Sequence, residues 1–325
     1  MGGNELFSPL GLGFGIFLIA ALAVDFGLLR KNGTHVVPVK EAAIWTVVWI
    51  VLAIIFGIAI YWYSDFNGTV ATEYFVGYLV EKSLSVDNIF VFTIIFTALK
   101  TPKKLQQLAL MWGILLALLL RGIMILIGAA LIEQFEWIIW FFGGFLLLTG
   151  VQMWLGGGHA NENEPSAIKL ARRFIHVNND YTEERFWIFK AGRRVFTPIF
   201  LTIAVIGIID LVFAVDSIPA IFGITLDPFI VFTSNAFAIL GLRNLYFLLA
   251  DAKDRFRHLS TGLAIVLIWI GVKMILPAIN HDWKVPPLAS LVVVVSILTL
   301  SIIVPLIFDK FIARVARRSV RSRKR

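Results

Sequence analysis

Long apolar runs separated by short polar segments set the pattern of this chain. They fall at about 7–29, 43–63, 74–99, 105–131, 137–155, 198–222, 229–249, 259–279 and 288–308. Each run approaches the roughly 20 residues that carry a helix across about 30 Å of hydrocarbon. The pattern therefore predicts an all-α polytopic membrane protein with about nine transmembrane helices and its termini on opposite sides. Composition agrees: 59% of the 325 residues are hydrophobic and the mean hydropathy is +0.86, where a soluble protein of this size needs a far more polar surface.

Charge orients the spans. Cations gather on alternate segments: three after the first run, three after the third, seven in 156–197, three after the seventh and eight in the tail beyond 309. The other set of segments holds one, Lys284, and is otherwise acidic, with Asp65, Glu73, Glu133, Glu136, Asp227 and Asp282. Basic residues collect on the cytoplasmic side. The N-terminus is expected outside and the C-terminus in the cytoplasm. The opening "MGGNELFSPL" has no positive n-region, so no removable signal peptide is expected.

The only sizeable polar segment is 156–197, with "GGGHANENEPS" followed by "AIKLARRFIHV". It reads as a flexible linker and a short basic helix on the inner leaflet, a connector at anionic lipid with a regulatory or partner role left open. The basic tail reads the same way. Neither has interleaved aromatics or a folded module, so nucleic acid is not an expected partner. The net charge of +8 is the cytoplasmic bias of the loops.

Two polar interruptions stand out against the apolar background, and they match. "EKSLSVDNIFVF" (81–92) aligns with "DLVFAVDSIPAIF" (210–222), pairing Glu81 with Asp210, Asp87 with Asp216 and Asn88 with Ser217. Further on, Arg121 in "LLLRGIMIL" matches Arg243 in "ILGLRNLYF", and "TGVQMW" (149–154) matches "IGVKMI" (270–275). Spans three to five (74–155) and six to eight (198–280) then form two copies of one unit. They lie between two N-terminal spans (1–73), the 156–197 loop, and a ninth span with its tail (281–325). Three spans per unit is an odd number, so the copies are inverted, an arrangement of transporters whose site lies near mid-membrane where the repeats meet.

Intramembrane carboxylates cost about 2.5–3.5 kcal/mol each on insertion scales and are functional candidates by default. Here they are Asp25, Glu81, Asp87, Asp210 and Asp216, with Lys82, Arg121, Arg243 and Lys273 as available ion-pair partners. Helix-to-helix ion pairs that only fix packing are the competing reading. Residues six apart on a helix are turned by about 120° and displaced by about 9 Å. Both acids of one repeat face a single cavity only if the helix is broken or the cavity is wide. Pro219 is placed to break the sixth span, and Ser83 and Ser85 to satisfy backbone loosened near Asp87.

Carboxylates with Asn88 and Ser217 make an all-oxygen set suited to a transported Mn²⁺, Ca²⁺ or Mg²⁺. Crowded acids also carry protons, which would couple metal movement to a proton gradient. Arg121 and Arg243 read either as gating ion pairs or as static partners. Asp25 lies near Arg30, and a local ion pair competes with a role at the site. Met153 and Met274 read as packing residues. There is no cysteine, which excludes disulfides and thiolate sites, and all five histidines fall in loops. No nucleophile–base set, phosphate loop or cofactor motif stands out, so neither an enzyme nor a tightly bound cofactor is expected. The sequence leaves oligomeric state open.

These same stretches carry a resemblance. "EKSLSVDNIFVF", "VDFGLL" (24–29) and the long block "DLVFAVDSIPAIFGITLDPFIVFTSNAFAILGLRNLYFLL" (210–249) resemble the TerC/Alx family, within the wider lysine-exporter-like superfamily. The resemblance covers about 10–280 and omits the 156–197 loop and the tail. It implies an inner-membrane manganese exporter, with tellurite-resistance and alkaline-pH associations. It also implies a metal site at Glu81, Asp87, Asp210 and Asp216, with Asp25 less firmly matched. A membrane scaffold or assembly factor linked to tellurite and metal stress is the second reading.

Overall fold

The computed structural model describes residues 9–32, 36–64, 68–135, 137–155, 168, 171, 173, 185–190, 193–249, 259–280, 283, 285–301 and 303–304. Within these, the side chains of residues 25–32, Asp87, Phe90, Lys190, Arg193, Asp216, Leu259, Ser260 and Ala278 lie outside the described part.

Ten helices and one strand pair appear in the described chain: α1 (Pro9–Asn32), α2 (Val39–Tyr63), α3 (Gly68–Ala98), α4 (Lys103–Gln134), α5 (Ile138–Trp154), β1 (Trp187–Lys190), β2 (Arg193–Phe196), α6 (Pro198–Phe222), α7 (Pro228–Leu240), α8 (Leu242–Leu249), α9 (Leu259–Ile279) and α10 (Pro287–Ser301). Prolines mark several starts. Pro198 and Pro228 sit in the first turns of α6 and α7, where a missing N–H costs nothing. Asp227 caps α7, its Oδ1 accepting from Phe229 N at 2.8 Å and Ile230 N at 3.4 Å.

Among the described residues α2, α4 and α6 are each long and apolar enough to cross a membrane, and α7 with α8, bent by 40° at their junction, has the length and composition of a broken span or a re-entrant loop. The remaining apolar helices are shorter, and α3 is long but carries the polar run. A polytopic helical membrane protein follows. Large apolar side chains face outward in a belt, among them Ile44, Val47, Val51, Ile54, Ile55 and Ile58 of α2 and Trp140, Phe141 and Leu148 of α5. Lipid is the solvent that suits such a surface.

At the centre, α3 and α4 each pack on both α6 and α7. Nearly all of α7 is buried, as expected of a helix apolar on every side. Phe14 of α1 and Phe56 of α2 stack around Phe237 of α7, with Phe14–Phe56 and Phe56–Phe237 centroids 5.2 and 5.0 Å apart, which ties the N-terminal helices to the centre. Separately, α5 and α9 pair along a glycine seam. A Cβ on Gly271 would lie 2.9 Å from the Gly143 carbonyl oxygen, and one on Gly150 would lie 2.9 Å from that of Ala264. Small residues let membrane helices approach this closely.

Two expectations change. Pro219 does not break its span: α6 runs on to Phe222, and α3 is continuous through 81–92. Pro219 falls in the last turn, where carbonyls lose their intrahelical partners in any case. The break comes instead at Gly241, between α7 and α8. Ser83 accordingly bonds the Leu79 carbonyl within an intact helix, at 2.7 Å.

The 156–197 segment also carries a folded element. β1 and β2 form an antiparallel hairpin in the register Trp187↔Phe196 to Lys190↔Arg193, anchored where Thr197 N bonds the Phe186 carbonyl at 3.0 Å. Of the expected surface helix, Ile168, Ala171 and Arg173 are described as helical, and the first two are buried in the core instead of lying on the leaflet.

Candidate functional site

Arg121, midway along α4, is 1% exposed, and its guanidinium is the hub of the buried centre. Nε and Nη2 each donate to one oxygen of Asp210 at 3.0 Å, a bidentate pair. Nη1 forms an ion pair with Glu81 and also reaches Ser217 Oγ at 3.2 Å and Asn235 Oδ1 at 2.9 Å. Four helices converge here: α3 supplies Glu81, α4 Arg121, α6 Asp210 and Ser217, and α7 Asn235. Asp210 and Ser217 are seven residues apart, about two turns, so one face of α6 carries both. The Asn235 amide is held by its own Nδ2 donating to the Val231 carbonyl at 3.1 Å, which leaves Oδ1 for the guanidinium.

The sequence comparison matched Glu81 with Asp210 across the repeat, and the structure brings the two onto one arginine. Two ionised carboxylates against one guanidinium leave a net charge of −1 in a site with no access to water. Glu81, 0% exposed, keeps one oxygen, Oε2, without a hydrogen-bond partner among the described residues. On the same face of α3, the Tyr78 hydroxyl three residues before and the Ser85 hydroxyl four residues after also lack partners among the described residues, and Asn88 is buried one turn further on. Buried oxygens are ordinarily satisfied. A line of them beside a surplus negative charge is chemically suited to a proton or a hard cation.

The other candidates lie elsewhere or outside the described part. The side chains of Asp25, Asp87 and Asp216 are not among those described, and among the described residues no three His, Cys, Asp or Glu side chains gather as a metal site. Lys82 pairs with no carboxylate among the described residues; its Nζ donates to the Ala238 carbonyl at 3.2 Å, at the C-terminal end of α7, where a cation complements the helix dipole. Gly241 makes room for it, since a Cβ there would lie 2.8 Å from that Nζ. Arg243 is buried on α8. Lys273 interacts electrostatically with Glu73 among the described residues, and not with Glu81 or Asp210. Asn235 and Tyr78 are the site residues that sequence reasoning missed. Three neutral polar residues in a row, Thr233, Ser234 and Asn235, inside the apolar stretch "FTSNAFAIL" are the signal that marks Asn235.

Helices wrapped in an outward apolar belt around a buried, charge-unbalanced polar cluster define an integral membrane protein with an intramembrane ionic site. Residues 66–312 match the model of the integral membrane protein TerC family, and the chain belongs to that family. The match runs through the 156–197 loop, which the initial resemblance had omitted. The chain is 46% identical over 296 residues to an uncharacterized membrane protein, STKORF319, of Myxococcus xanthus, covering 91% of each chain. It is 41% identical over 301 residues to the putative membrane-bound redox modulator Alx of Escherichia coli K12, covering 90% of this chain and 92% of that one. The Alx of Photorhabdus laumondii is 38% identical over 316 residues, with 95% and 98% covered. No solved structure matches the chain.

Proposed function

We propose that this protein is a secondary transporter that exports a divalent hard cation, Mn²⁺ above all, from the cytoplasm in exchange for protons. The observation that carries this reading is that two buried carboxylates, Glu81 and Asp210, share the single guanidinium of Arg121, with one Glu81 oxygen left without a partner among the described residues. A purely structural ion pair would balance its charges and satisfy its oxygens, because each unpaired buried charge costs several kcal/mol. A cluster left one charge short must take up a proton or a cation. Asp210, held by two bonds, is the fixed half; Glu81, held on one side only, is the exchangeable half.

Asp87 and Asp216 stand one and a half turns further along α3 and α6; on these unbroken helices they are turned by about 120° from Glu81 and Asp210, and in this proposal they line the next stretch of the ion's path. Three further readings support transport: the inverted pairing of Glu81 with Asp210 and the nine spans with the N-terminus outside, both expected from the sequence, and a glycine seam that joins the repeat-matched helices α5 and α9 at Gly150 and Gly271. The relatives' printed name, redox modulator, favours a second reading in which the protein shapes the redox state of the membrane. With no cysteine in the chain, thiol exchange by its own side chains is not a route to that role.

Purified protein in liposomes, with an imposed pH gradient and metal-resolved flux, tests the proposal. Gradient-dependent Mn²⁺ movement is expected, lost in Asp87→Asn and in Glu81→Gln. Equal Mn²⁺ flux in these variants and the native protein would sink it.

A further inference from the structure

A cavity of about 830 Å³ opens beside the first turns of α3 and the ends of α6 and α9. The charge pattern places these segment ends outside. One wall carries Glu73, Thr225 and Lys273, while Trp140, Phe222 and Met274 make much of the rest apolar. Lys273 is only 8% exposed and makes no hydrogen bond among the described residues; Glu73 is its electrostatic partner. Thr225 and Glu73 also interact, while Thr225 Oγ1 accepts from Asp227 N at 3.3 Å. Asp227 adds negative charge nearby but is engaged in capping α7.

The cavity is aligned with the central cluster. Glu73 precedes Glu81 by eight residues on one continuous helix, about 12 Å along its axis, and Tyr78, whose hydroxyl has no partner among the described residues, falls between them in the sequence. Phe222 and Gly223, on the cavity wall, follow Ser217 by five and six residues. The two helices that supply the acids of the cluster thus lead directly to it.

We propose that this cavity holds a second, outward-facing site for the transported divalent cation, with Glu73 as its carboxylate and Lys273 as a tethered competing cation that discharges the ion. This rests on the transport reading above. One carboxylate, a hydroxyl and retained water suit a hydrated hard cation. The ammonium group beside them keeps binding weak, as an exit site requires, because an ion must leave as readily as it arrives.

The absence of cysteine makes a direct test possible. Leu226→Cys introduces one thiol on the cavity wall at an exposed position. In vesicles, a membrane-impermeant maleimide added outside is expected to label it, and external Mn²⁺ to slow labelling at least fivefold. Glu73→Gln should abolish that protection. Lys273→Met should bring it on at about tenfold lower Mn²⁺, and Lys273→Arg should behave as Lys273 does. Labelling from the cytoplasmic side alone, or protection unchanged by Glu73→Gln, overturns the exit site. Mn²⁺ flux in the same vesicles separates the two ideas. Flux with unaltered protection removes the exit site alone, whereas absent flux in the native protein removes the transport reading and the exit site with it.

Discussion

Glu81 and Asp210 hold the same guanidinium unequally, and substitution should expose the difference. Asp210 makes the bidentate pair, so Asp210→Asn breaks the anchor of Arg121. Glu81→Gln instead removes the surplus negative charge and leaves a balanced Arg121–Asp210 pair. Melting in detergent should therefore show Glu81→Gln at least as stable as the native protein and Asp210→Asn clearly less so. Arg121→Leu abandons two buried carboxylates and should cost about 3–5 kcal/mol, the range for breaking a buried pair. If Glu81→Gln were the most damaging of the three, the cluster would be a structural pair and its charge imbalance of no functional consequence. The sequence marked Glu81, Asp210, Ser217 and Arg121 because charge and polarity are conspicuous in apolar runs. It could not show that one arginine holds both acids, because α3, α4 and α6 meet only in three dimensions.

Among elements, the unbroken α3 and the broken α7–α8 pair reverse the expected roles. Proline was the visible breaker, yet Pro219 falls within three residues of the end of its helix and does little there. The break at Gly241 is stabilised from outside the element by Lys82, which bonds the Ala238 carbonyl. Lys82→Met should lower stability by about 1 kcal/mol through loss of a cation at a helix C-terminus, read as a shift in melting temperature. The α5–α9 seam allows a sharper comparison. Gly271→Val should destabilise by about 1–3 kcal/mol through overpacking against Gly143, whereas Gly144→Val, where a Cβ meets nothing within 4 Å, should be tolerated. Equal melting temperatures for the two would rule out close packing as the role of Gly271. The β1–β2 hairpin escaped notice because the loop was read by its charge, although "WIFKAGRRVF" places a glycine between two short strands.

For the whole molecule, the charge pattern makes a prediction independent of the site. A fluorescent protein fused to the C-terminus should fold and fluoresce in the cytoplasm, and an alkaline phosphatase fused after residue 65 should be active outside. Reversal of both would invert the topology and turn the proposed exit cavity toward the cytoplasm. Hydropathy and charge bias fix membrane residence, approximate helix limits and an expected orientation by themselves, because each is a transfer energy summed along the chain and needs no knowledge of neighbours. The family was legible for a related reason, since its motifs are continuous stretches. Which charges meet, which oxygens go unsatisfied, where a helix bends and which helices press glycine against backbone depend on contacts between residues far apart in the sequence, 156 positions in the case of Lys82 and Ala238. Those are pairwise terms in a low-dielectric interior, and only the tertiary structure decides them.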